Sequence, residues 1–336
     1  MKSNTTGKDK KLYFASIDVA RTFGIFLVVL GHAFPDASLQ GGIQNGMWRL
    51  VFNIIYSFHM PLFIFLSGFV SNQYSIDIQD CWNKTLKKFK RLIVPYFCWG
   101  GIYIPFRILL AEYASAEFNI TRLWRILIGE NPYSGLWFLY ALFMISLIYI
   151  WLIKSDKGLR LAFLISFLML FIGKYVSIIE PIKWIFLYLF YYLLGVYFHK
   201  YYTFIYENVV KNQYCLIFGI LFTLSFFLNY QYRTSMSGLI SIVTAISGII
   251  VVWIMSEKLS YNVFLAQLGK YGMDIFIMSG PILVFLRIVL YNFLGIGYTT
   301  YVIFATIFAY TAPILVSKFI VRKNRFLSGL FLGMWK

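Results

Sequence analysis

Seven ionisable residues stand inside apolar stretches of this chain: Asp18, Arg21, His32, His59, Arg107, Asp274 and Arg287. A charge at the centre of a membrane span costs at least ~2.5–3.5 kcal/mol, so each needs a partner or a task. Arg21 and His32 are eleven residues apart. On a helix that spacing returns them to one face, separated by about 16 Å along the axis. Asp18, three residues before Arg21, is placed to pair with it. One helix would then carry a carboxylate–guanidinium pair low down and an imidazole at its far end. A guanidinium suits an anion or a polarised carbonyl. An imidazole, with an ordinary pKa near ~6.5, suits proton abstraction at neutral pH. The plainer alternatives are an interfacial ion pair that snorkels to water and a histidine capped by a backbone carbonyl. His59 lies in Ser57-Phe58-His59-Met60-Pro61-Leu62. Pro61 removes a helix donor, so His59 either does chemistry or satisfies the carbonyl that the proline frees.

The elements that must position these groups are membrane spans. Of 336 residues, 60% are hydrophobic and 13% charged, and the mean hydropathy is +0.73. A soluble domain is nearer ~45–50% apolar and ~25% charged. An ordinary soluble enzyme, a disordered chain and a fibrous repeat are thereby excluded. Ten apolar runs have the length a helix needs to cross a bilayer. They are Ile17–Phe34, Leu50–Val70, Leu92–Leu110, Gly135–Ile153, Leu159–Val176, Ile182–Phe198, Cys215–Asn229, Leu239–Met255, Met273–Tyr291 and Tyr301–Ile320. An outer-membrane barrel would show shorter, alternating segments of ~10 residues. The reading is an all-α polytopic membrane protein with about ten transmembrane helices. It is one integral-membrane domain, 1–336, with tails at 1–16 and 321–336. The first span carries no small-residue cleavage site after it and reads as retained.

The net charge is +17. Most of the 30 Lys and Arg residues fall in alternate connecting segments; only Arg49, Arg122, Arg125, Lys174, Lys183 and Arg233 fall in the others. By the positive-inside rule both termini are cytoplasmic. Basic residues scattered between spans exclude nucleic acid as a partner and point to membrane lipids. Cys81, Cys98 and Cys215 are too far apart for a metal set or a disulfide framework, and no metal is expected. The run Lys84–Arg91 reads as an anionic-lipid patch or as a phosphate clamp. Ser279-Gly280-Pro281 predicts a break or kink in the ninth span, a pointer to a cavity or to plain packing. A transporter or polysaccharide-precursor flippase would share these traits but would usually carry a symmetric pair of broken helices.

Ile17-Asp18-Val19-Ala20-Arg21 … Gly31-His32 resembles the first-helix signature of the membrane-bound acyltransferase-3 family, and the subgroup it most resembles is the fucose 4-O-acetylase-like one. Ser57–Phe63 with Ser67-Gly68-Phe69 is similar to the second-helix signature. Lys87–Pro95 resembles the basic approach to the third helix, and Leu136-Trp137-Phe138-Leu139 the start of the fourth. Thr22 replaces the usual glycine, Lys88 the first of two arginines, and Ser279 a histidine that relatives carry before the ninth-helix proline.

The resemblance implies transfer of an acyl group, usually acetyl, from cytoplasmic acetyl-CoA to a hydroxyl of a cell-surface or lipid-linked glycan. The setting would be a bacterial cytoplasmic (inner) membrane. Succinyl transfer is an alternative. Under this reading Lys88 and Arg91 help hold the CoA phosphates, and Arg21, oriented by Asp18, lines the donor path. His32 is the general base, with Asp36 placed one turn on to orient its ring. His59 stabilises the oxyanion or relays a proton, and a covalent acetyl-imidazole is open. Asp274 is expected low in the ninth span, where Arg21 is its plausible partner.

Overall fold

The structure is a computed structural model that describes residues 14–36, 42–71, 74–75, 77–109, 120–173, 180–210, 212–232 and 238–335. Lys174, Lys211, Arg233, Lys336 and the basic N-terminal residues 1–13 lie outside the described residues. Among the described residues the chain is helical and contains no strand.

Helix α1, Ala15–His32, is the first span. The second expected span is two helices, α2, Gly46–Tyr56, and α3, His59–Phe69. They part at Ser57–Phe58, one turn before Pro61, whose missing N–H would otherwise bond the Ser57 carbonyl. Proline is tolerated in the first turn of α3, where that donor has no intrahelical acceptor. The basic run is itself helical: α4, Ile78–Lys88, passes through a widened π turn, Phe89–Ile93, into α5, Val94–Leu109.

The fourth to sixth spans are α6, Trp137–Leu152, α7, Asp156–Ile172, and α8, Glu180–Lys200. A short α9, Tyr202–Val209, precedes α10, Asn212–Tyr232, and α11, Leu239–Lys258. Another short helix, α12, Val263–Gly269, leads into α13, Gly272–Leu286, which widens into a π segment, Arg287–Phe293. The last span, α14, Tyr298–Val316, ends in a third π turn, Ser317–Val321. The expected C-terminal tail contains α15, Arg325–Leu332, packed on α5.

Nine helical stretches among the described residues are long and apolar enough to cross a membrane. Helix α7, with 17 residues, matches the remaining apolar run; the end of that run enters undescribed residues. This is an all-α polytopic membrane protein. Outward-facing leucines, isoleucines and phenylalanines on α7, α10 and α14 fit a lipid-exposed surface.

Packing inside the bundle follows from small residues. Helices α3 and α8 touch backbone to backbone: a Cβ on Gly68 would strike the Tyr192 carbonyl, and one on Gly195 the Phe65 carbonyl. The largest apolar cluster gathers α3, α6, α8 and α11 around Phe65, Tyr192 and Trp253. A second joins α1, α13 and α14 through Val29, Leu283 and Val302. Helix α1 therefore stands between two cores, with Ser16, Asp18 and Thr22 buried against them.

Of the break or kink expected in the ninth span, the break is corrected. Helix α13 runs unbroken through Pro281. Beside the proline, the Gly280 N–H donates to the Tyr133 hydroxyl at 3.1 Å. The break expected in span nine is found instead in span two, beside His59.

Candidate active site

The polar groups gather at two ends of α1. At its first turns, Arg21 donates to the Asp18 carboxylate at 2.7 Å. The Asp18 side chain is buried and Arg21 is partly exposed. Thr22, which stands where the resemblance expects glycine, donates to the Leu265 carbonyl at 2.7 Å. It thereby ties α1 to α12, and Gly269 meets the Asp18 backbone where a Cβ would collide. Nearby, Glu257 of α11 accepts from Ser16 at 3.0 Å and from Tyr202 at 3.2 Å.

Arg91 sits in the first π turn and donates to the Leu332 carbonyl, the C-terminal end of α15, at 2.8 Å. It lies within electrostatic reach of Asp274, Arg21 and Arg322. Asp274, 1% exposed, is held by Arg322 through a two-point fork, Nε to Oδ1 at 2.9 Å and Nη2 to Oδ2 at 2.8 Å. Ser317, in the last π turn, also donates to it. The Arg322 guanidinium lies over the Tyr271 ring at 4.1 Å. The expected pairing of Asp274 with Arg21 is thus corrected. Arg322, the residue after the widened turn 317–321, takes Asp274, and Arg21 bonds Asp18. Lys88, one bulged turn from Arg91, donates to Ser71 at 3.3 Å. Three guanidinium groups from spans one, three and ten therefore converge on one end of the bundle.

Two imidazoles occupy the region toward the other end of α1. His32 is the last residue of α1 and is exposed; His59 opens α3 and is buried. His32 Nδ1 lies 2.8 Å from the Val28 carbonyl, and His59 Nδ1 lies 2.8 Å from the Ile55 carbonyl. A carbonyl only accepts, so each Nδ1 carries a proton and each neutral ring keeps its lone pair on Nε2. His59 lies within electrostatic reach of His32. Tyr56 stands between them, its ring centroid 4.7 Å from that of His59 and 6.3 Å from that of His32.

The expectation that Asp36 orients His32 is corrected. Asp36 accepts from the Tyr298 hydroxyl at 2.6 Å and from the Gln44 N–H at 3.1 Å. Pro35 carries the chain away from α1, and the Val28 carbonyl sets the ring instead. Arg107 and Arg287 lie within reach of a third group, Tyr103, which stacks on Tyr133 at 4.8 Å.

A cluster of guanidinium groups opposite a pair of proton acceptors can hold an anionic donor and deprotonate an acceptor hydroxyl. A family model described as an acyltransferase domain matches residues 14–318. The chain belongs to the membrane acyltransferase-3 family. It is a multi-pass membrane acyltransferase, and both polar clusters fall within the matched region apart from Arg322 and α15. No curated protein and no solved structure matches the acyltransferase.

Arg322 and Tyr56 were not singled out from sequence. Arg322 sits among the basic residues that follow the last span and reads as a topology signal. Its partner, Asp274, is 48 positions away, and no local spacing links the two. Tyr56 stands three residues before His59, a helical neighbour spacing that could have marked it.

Proposed function

We propose that this acyltransferase moves an acetyl group from cytoplasmic acetyl-CoA to a hydroxyl of a cell-surface or lipid-linked glycan, across a bacterial inner membrane. One observation carries the reading: a single helix, α1, brings Arg21 to the guanidinium cluster and His32, with Nε2 free to accept, to the opposite end. The extended pantetheine arm suits the ~16 Å between them.

In this reading Arg91 and Lys88 hold CoA phosphates, Arg91 as a fork and Lys88 as a point charge. Arg21, fixed by Asp18, faces the donor path. His32 Nε2 takes the proton of the acceptor hydroxyl as its oxygen attacks the thioester carbonyl. The C–S bond breaks, an ester C–O bond forms, and the departing CoA thiolate takes the proton that His32 holds, which restores the neutral imidazole. His59 has its Nδ1–H committed to Ile55, so the neutral ring accepts rather than donates at Nε2. That favours a proton relay over an oxyanion donor.

The test is transfer of radiolabel from acetyl-CoA into surface glycan by membranes of a deletion strain carrying wild type or His32→Ala. Label should appear with wild type and vanish with the variant at equal protein level. Loss of the glycan itself, rather than of its acetyl groups, would identify a carrier instead.

A further inference from the structure

The residues after the last span follow the family match, which ends at 318. They attach to the basic cluster at two points. The C-terminal carbonyl of α15, on Leu332, accepts from Arg91, and Arg322 grips buried Asp274 with its fork. The docking is built rather than incidental. Gly333 has φ +63°, and a Cβ there would lie 2.6 Å from the Arg91 Cα and strike the Lys90 carbonyl. A left-handed glycine closing a helix is the usual way to satisfy its last carbonyls. Here the same turn lets the helix end press against the π turn that carries Arg91. Trp99 Nε1 fixes the other side by donating to the Phe331 carbonyl at 3.1 Å.

We propose that residues 322–335 complete the donor site: Arg322 is a second phosphate-binding guanidinium beside Arg91, and α15 is a positioning element that aims Arg91. The proposal rests on the acyl-CoA reading above. The bonds of Arg322 use Nε and Nη2, and Nη1 takes no part in them. The bond of Arg91 to Leu332 uses only one of its nitrogens. Holding three guanidinium groups together costs repulsion that Asp18 and Asp274 only partly offset. A ligand bearing several phosphates supplies the missing negative charge, and forked donors recognise it with direction as well as charge. The negative end of the α15 dipole also favours the guanidinium of Arg91 in this place.

The experiment measures equilibrium binding of coenzyme A to the full-length protein in lipid nanodiscs, with initial rates over a range of acetyl-CoA concentrations. Gly333→Val displaces the end of α15 without removing any charged group. Arg322→Lys keeps the charge and loses the fork. Trp99→Phe loosens the helix mildly, should Gly333→Val fail to fold. Coenzyme A affinity should fall about tenfold in Gly333→Val and about threefold to tenfold in Arg322→Lys, with kcat within about twofold of wild type. Trp99→Phe should shift the donor KM the same way by a smaller factor. Wild type binding coenzyme A while the folded variants bind it equally well would overturn this inference alone. Wild type binding none would overturn it together with the donor reading.

Discussion

The two ends of α1 are organised on opposite principles. At the histidine end each imidazole is set by the carbonyl four residues earlier in its own chain segment, Val28 for His32 and Ile55 for His59. At the basic end two of the three guanidinium groups are set by partners far away in sequence, Leu332 for Arg91 and Asp274 for Arg322. Only Arg21, paired with Asp18, is set locally. A proton acceptor needs one lone pair fixed in direction, and a helical turn supplies that. A multiply charged donor needs several cations from different walls, and only tertiary packing can gather them. The histidine end is therefore preset once its helices form, whereas the basic end depends on the last span and α15 docking.

The sharpest way to break this contrast is at the histidines. His32→Ala should lower kcat about 10²–10⁴-fold, the range for losing a general base, with donor KM little changed. His59→Ala, a relay under the same reading, should cost about tenfold. Rates from purified protein in nanodiscs decide it. An equal loss in both would make the two rings one catalytic unit, and a rise in donor KM would move His32 out of the acceptor side.

A smaller effect separates the two basic residues before the third span. Arg91 lies in the guanidinium cluster, whereas Lys88 is turned to Ser71. Arg91→Ala should raise the acetyl-CoA KM about tenfold, the worth of one charge-assisted bond. Lys88→Ala should raise it by less than about threefold. Arg91→Lys should recover little, because an ammonium cannot reproduce a fork. Equal effects of Arg91→Ala and Lys88→Ala would give the two residues the same weight on the donor and erase the distinction.

The same contrast explains what was legible in the sequence. The spans were, because each is a contiguous apolar run matched to the bilayer. So was the Asp18–Arg21 pair, which obeys helical spacing. The partner of Asp274 was not, because nothing in residues 270–278 points to position 322. The proline signals were ambiguous for a physical reason. Pro61 and Pro281 each remove one donor, and the surroundings decide the outcome. Tyr133 bonds the backbone at Gly280 and α13 stays whole; at Ser57–Phe58 the chain turns and opens the second span beside His59.

The weakest expected effect is also the cleanest check on how His32 is oriented. Sequence proximity suggested Asp36, yet both of its oxygens are engaged, by Tyr298 and by the Gln44 N–H. Asp36→Asn should therefore leave kcat within about twofold, since a positioning carboxylate lost from a catalytic histidine would cost far more. Its effect should fall on stability: weakening the bond from Tyr298 should cost about 1 kcal/mol, seen as a lower melting temperature in nanodiscs. Tyr298→Phe should reproduce that shift, and the double variant should cost less than the sum of the two, because both remove one interaction. A hundredfold drop in kcat for Asp36→Asn, with Tyr298→Phe silent, would instead show that Asp36 serves the imidazole, and that the histidine end too depends on a contact beyond its own helical turn.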